Sequence, residues 1–161
     1  MEAKKPGILV IGLGNPILGD DGVGWKVAEE VQKQLPPDSS VDVDFLSLGG
    51  ISLMEHLIGY ERAILIDAFT LDEPIGSILV LKLSDLPNYS AFHTTSAHDT
   101  SLQNAIELGR SMGAPLPDDI EIVGIATGRI YDFNEDLSPP VAEAVPFAAG
   151  VVLDLLKQAI R

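Results

Sequence analysis

Ile8–Gly24 reads ILVIGLGNPILGDDGVG, and the reading of this stretch decides the fold. The aliphatic run Ile8–Ile11 has the character of a buried parallel strand. Gly12 and Gly14 then turn the chain, a polar loop carries Asp20 and Asp21, and a helix is expected over Gly22–Leu35. Strand, tight glycine turn and polar loop is how an open α/β sheet sets a ligand site at the carboxyl end of its first strand. The adjacent carboxylates of Asp20 and Asp21 would repel a phosphate, but they suit a metal or acid–base chemistry.

Working outward, Val23, Val27, Ala28 and Val31 fall on one face of the expected first helix, and Pro36-Pro37 closes it. Val41–Leu46 alternates apolar with acidic residues, as a strand with one wetter face does. Ser52–Ile58 predicts a short helix capped by Ser52, and Ala63–Ile66 a second fully apolar strand ending at Asp67. Gly76–Leu83 follows too closely for a parallel crossover, so that strand should run antiparallel. After a polar loop over Leu86–Ala97 come a helix over Thr100–Met112, a last strand over Ile120–Ala126 and a C-terminal helix. Ser138 is the expected N-cap of that helix, and Pro146 should kink it. The sum is an α/β protein: a three-layer α/β/α sandwich around a mixed, mostly parallel sheet of about five strands. One domain over residues 1–161 is expected, with no repeat or linker.

Composition removes several classes. There is no cysteine among the 161 residues, hence no disulfide, thiolate nucleophile or Cys-bound metal, which suits a cytoplasmic protein. The N-terminal MEAKKPG leads into the first strand without the pattern of a signal peptide, and no apolar run suggests a membrane span. The net charge of −14, from 24 acidic and 10 basic residues, repels nucleic acid and would favour cations or a basic protein, although solubility alone explains it equally well.

Motifs narrow the field further. A dinucleotide fingerprint would need a glycine at Ile17, and its ribose-binding acid would fall in Pro36–Ser40, before the second strand, while Asp20-Asp21 would repel a pyrophosphate. No Gly-Lys-Ser/Thr, Gly-x-Ser-x-Gly or His-Glu-x-x-His occurs. What remains is assembled by topology: Asp20 and Asp21 after the first strand, Asp67 at the end of another, and His98 ahead of a helix. Carboxyl ends of parallel strands face one crevice, and two carboxylates with an imidazole suit a divalent transition metal with open positions. Either aspartate of the pair could instead cap the first helix, Asp67 could bind loop amides, and His98 or Asp99 could belong to a helix cap. His56, His93 and Trp25 are assigned no part.

In order and spacing the chain resembles the hydrogenase maturation proteases, endopeptidases that trim the C-terminus of the large subunit of nickel-iron hydrogenases. The resemblance rests on Gly12-x-Gly14-Asn15, Asp20-Asp21 with Gly24, Asp67-Ala68 after an aliphatic strand, Ser96-x-His98 before a helix containing Leu102, and Leu137-Ser138-Pro139 opening the last helix. It implies that Asp21, Asp67 and His98 grip nickel already inserted in the precursor, so that metal loading is checked before cutting. Asp20 is then a cap or a supporting group. The same metal could polarise the scissile carbonyl or activate a water, with a carboxylate as base, and other divalent ions could occupy the site. The implied partner is the large-subunit precursor, met by a cytoplasmic monomer without nucleic acid or membrane.

One departure stands out: many members carry Asp-Gly-Gly-Thr-x-Gly where this chain has Leu48-Gly49-Gly50-Ile51-Ser52-Leu53, which bears on the choice of precursor. Two other readings share the pattern. Gly12-Leu13-Gly14-Asn15-Pro16 also resembles the opening of bacterial peptidyl-tRNA hydrolases, but the expected histidine segment is missing. A non-catalytic metal-binding maturation factor could use the same rim.

Overall fold

The structure is a computed structural model that describes residues 7–86, 101–128 and 132–158. Five strands form one sheet: β1 (Ile8–Leu13), β2 (Val41–Leu46), β3 (Arg62–Thr70), β4 (Ile78–Lys82) and β5 (Asp119–Thr127). Their order is β2-β1-β3-β5-β4, with β4 alone antiparallel to its neighbour. The antiparallel direction follows from the short Leu71–Ser77 connection, which leaves no room for a crossover helix.

Side chains alternate across the sheet and divide the core in two. On one face Leu9, Ile11, Ala63, Leu65 and Ile122 pack under α2 (Gly50–Leu57) and α3 (Leu102–Ser111). On the other, Val10, Ile64, Ile66, Val123 and Ile125 meet α1 (Val23–Gln34) and α4 (Pro139–Gln158). This is the expected three-layer arrangement. α4 is long and apolar enough to cross a membrane by length and composition. Here its stripe of Val141, Ala144, Ala148, Val152 and Leu156 is buried in the core beside α1, which accounts for its apolar character.

Several boundaries differ from expectation, for local reasons. β3 continues past Asp67 to Thr70 because β5 still pairs with it there, Asp67 opposite Gly124. Its pairing with β1 stops at Ile66, so Asp67 sits where the sheet forks. Ser52 does not cap α2: the helix begins at Gly50, whose φ of 53° only glycine adopts readily, so Ser52 lies inside the first turn. Ser101 caps α3, accepting the Asn104 amide at 3.2 Å, while His98 and Asp99 lie outside the described residues. Pro146 lies inside α4, as expected, with no amide to offer the preceding turn.

Candidate functional site

The loop after β1 is built from the backbone outward. Gly14 has φ 137°, and a Cβ there would lie 2.0 Å from the Asp21 carbonyl oxygen, so only glycine lets the returning chain pass. Its amide donates to the Leu46 carbonyl at 3.2 Å and its carbonyl accepts the Ser47 hydroxyl at 2.6 Å, which hooks the turn to the end of β2. Asn15 donates its amide to Asp21 Oδ2 at 2.9 Å, while its side-chain oxygen accepts the Ile17 amide at 3.1 Å. Asp21 is thereby buried with its carboxylate held against the turn (6% exposed).

Asp20 and Asp21 lie in a 3-10 turn, Gly19–Gly22, that leads into α1. Neither caps a helix start here: the N-caps of the 3-10 turn and of α1 make no side-chain cap hydrogen bond. The two aspartates part ways instead. Asp20 reaches across to the start of α4, accepting the Ser138 amide and hydroxyl, each at 2.7 Å. Ser138 thus opens α4 while sending its own side chain to Asp20. A second tie joins the same segments, since Gly19 donates to the Asn134 carbonyl at 2.7 Å and Asn134 donates to the Ile17 carbonyl at 2.9 Å.

Asp67 is buried at 1% exposure, its Oδ1 accepting the Ala68 amide at 2.9 Å. A single close approach brings its neighbourhood to the first loop. A Cβ on Gly24 would lie 2.4 Å from both the Leu13 and the Ile66 carbonyl oxygens, so the start of α1 is wedged between the carboxyl ends of β1 and β3. The 3-10 turn carrying Asp21 also lies against β3. Asp21 and Asp67 therefore occupy the same end of the sheet, where carboxyl termini of parallel strands gather.

Buried polarity marks this end. Among the described residues the buried polar or charged side chains are Asp21, Asp67, Thr127 and Glu121. Glu121 is accounted for at the opposite end, where Arg62 bonds to it and to the Leu155 carbonyl. Thr127 ends β5 in register with Thr70, three positions past Asp67 on β3, so it shares the carboxyl end with the two aspartates. It is a rim residue that sequence reasoning missed; a threonine closing the last apolar strand was its only signal.

His98, the third expected ligand, lies outside the described residues, as do His93 and Ser96. Among the described residues no three His, Cys, Asp or Glu gather to hold a metal. Two hard oxygen donors, Asp21 and Asp67, are what the described part of the site offers a cation. His56 is exposed on α2. Trp25 packs edge-on to Phe45 at 5.8 Å and donates to the Leu46 carbonyl at 3.1 Å, a structural tie of α1 to β2.

Comparison with known proteins supplies the context for this geometry. The family model "HycI: Hydrogenase maturation protease" matches residues 25–155. A protein of Methanocaldococcus jannaschii named as a hydrogenase maturation protease is 30% identical over 160 residues, covering 96% of this chain and 99% of its own. The hydrogenase expression/formation protein HupD of Thiocapsa roseopersicina is 26% identical over 155 residues, 96% of this chain and 70% of that one. Among solved structures, the hydrogenase maturating endopeptidase HybD from E. coli superposes with a TM-score of 0.78 at 23% identity, over 95% of this chain and 93% of that one. A hydrogenase 2 maturation peptidase from a Thaumarchaeota archaeon gives a TM-score of 0.66 at 27% identity, over 92% and 97% of the two chains. These matches carry the hydrogenase-maturation reading and lend no support to the tRNA hydrolase or non-catalytic alternatives. The chain belongs to the hydrogenase maturation protease family.

Proposed function

We propose that this endopeptidase removes a C-terminal peptide from the nickel-loaded precursor of a nickel-iron hydrogenase large subunit, and that Asp21 and Asp67 receive the substrate's metal. The observation that carries the reading is the pair of buried aspartates at the carboxyl ends of β1 and β3, in a chain of this family. Carboxylate oxygens gathered at one end of the sheet are hard donors of the kind a divalent cation takes. His98, which precedes α3 in the sequence, is the nitrogen ligand that this reading adds to the two carboxylates.

The metal acts here as part of the substrate. Its capture positions the adjoining peptide bond and polarises what lies next to it. Hydrolysis adds the oxygen of one water to the scissile carbonyl carbon, breaks the carbon–nitrogen bond and returns a proton to the departing amine. Asp20 and Ser138 fix the turn that presents Asp21 and do not touch the ion. The exposed Ile51, in the first turn of α2, lies where this chain departs from the common pattern, and it contributes to the choice of precursor. The protein works as a cytoplasmic monomer. Incubation with nickel-loaded and metal-free precursor tests the reading: the loaded form should be cut and the metal-free form spared.

A further inference from the structure

Beside the acid loop, two large apolar side chains stand in solvent: Ile17 at 48% exposure and Phe133 at 85%. Leu18 and Asn134 form a parallel bridge, made by the two backbone hydrogen bonds that join Asn134 to Ile17 and Gly19. Ile17 and Phe133 are the residues that immediately precede the two bridge partners. The bridge is anchored to the acid loop at both ends. Gly19 opens the turn that carries Asp20 and Asp21, and Asp20 holds Ser138, five positions beyond Phe133.

Among the described residues of these two segments, the charged side chains are all acidic. Asp132, Glu135 and Asp136 are exposed around Phe133. No lysine or arginine occurs within 132–138 or within 8–25. Exposed apolar side chains with acidic sequence neighbours, tied to the loop that carries Asp21, fit a peptide segment in which an apolar side chain is flanked by Lys or Arg.

We propose that Ile17 and Phe133 form the docking ledge for the protein substrate, taking an apolar, basic-flanked segment of the precursor while its metal enters at Asp21. The inference rests on the function proposed above. The ledge is small and aromatic, so its contribution is concentrated in Phe133, as at other interface hot spots. It acts on encounter and holding, not on the bond-breaking step.

The test is steady-state cleavage of the nickel-loaded precursor of the large subunit encoded in the same genome. Phe133→Ser and the double variant with Ile17→Ser should raise KM about tenfold with kcat within about twofold. Phe133→Leu, which keeps an apolar tip, should stay within about threefold of the wild-type KM. Charge reversal of Asp132, Glu135 and Asp136 to Lys should raise KM and abolish its dependence on salt. An unchanged KM in the double variant overturns the ledge while leaving the proposed function intact. Self-association abolished by Phe133→Ser, with KM unmoved, also overturns it and assigns the patch to a second copy of the chain. If the wild type cuts no such precursor, the proposed function falls and the ledge falls with it.

Discussion

Asp20 and Ser138, 118 positions apart in sequence, are joined by two 2.7 Å hydrogen bonds in which one carboxylate takes both the amide and the hydroxyl of the serine. This contact ties the residue before Asp21 to the residue that precedes α4. Removing it costs stability and aim together. Asp20→Ala should lower unfolding free energy by about 2 kcal/mol and Ser138→Ala by about 1 kcal/mol, since the latter keeps the amide bond. Urea unfolding of the two variants and the double variant checks this, with the pair costing less than the sum of the singles.

Gly24 offers a purely steric prediction. A methyl group there would meet two carbonyl oxygens at 2.4 Å, those of Leu13 and Ile66, with backbone on both sides and no flexible side chain to yield. Gly24→Ala should destabilise by about 3 kcal/mol or more. Gly150 in α4 is the control, because a Cβ there meets nothing within 4 Å, and Gly150→Ala should stabilise by about 0.5–1 kcal/mol. Thermal and urea unfolding of the two variants should move in opposite directions.

Most of the fold was legible in the sequence, because buried parallel strands such as Ala63–Ile66 announce themselves as unbroken aliphatic runs and Val41–Leu46 by strict alternation. The antiparallel β4 was legible from loop length alone. The length of β3 was not, because what carries it past Asp67 is a partner strand more than fifty residues away. The start of α2 hid in a glycine with positive φ, which looks like loop in a string of letters. Of the site, both aspartates could be read from strand ends, but their division of labour could not. Asp20 and Asp21 are adjacent in sequence, yet one serves α4 and the other faces the Asn15 turn, a distinction made by contacts 118 and 6 positions away.

Tyr60 gives a pH dependence unrelated to the site. Its hydroxyl donates to Asp42 Oδ2 at 2.6 Å. Burial first, then that hydrogen bond and the charges of Asp42 and Asp44, push its pKa well above the ordinary tyrosine value. A raised folded-state pKa means that the unfolded chain loses this proton first as pH rises. The stabilisation is therefore full below about pH 10 and is lost progressively above it. Tyr60→Phe should cost about 1–2 kcal/mol at pH 7 and flatten the alkaline fall in stability. Unfolding measured from pH 7 to 11 checks both parts.

Charge, not shape, is what the proposed metal site asks of its aspartates. Asp21→Asn and Asp67→Asn retain an oxygen to accept the Asn15 and Ala68 amides, now at 2.9 Å each, so the fold should persist. Cleavage of the nickel-loaded precursor should nevertheless drop by about 100-fold or more, since changes to mere supporting partners of metal ligands already cost 10–100-fold. Circular dichroism and a cleavage time course, run on the same preparations, separate loss of function from loss of fold.

The most direct test compares nickel-loaded with metal-free precursor, each offered to the wild type and to Asp21→Asn, with release of the C-terminal peptide followed by mass. The proposed function predicts that the wild type cuts the loaded precursor and spares the metal-free one, while Asp21→Asn spares both. Equal cutting of the two precursors by the wild type, or wild-type rates from Asp21→Asn, would contradict it.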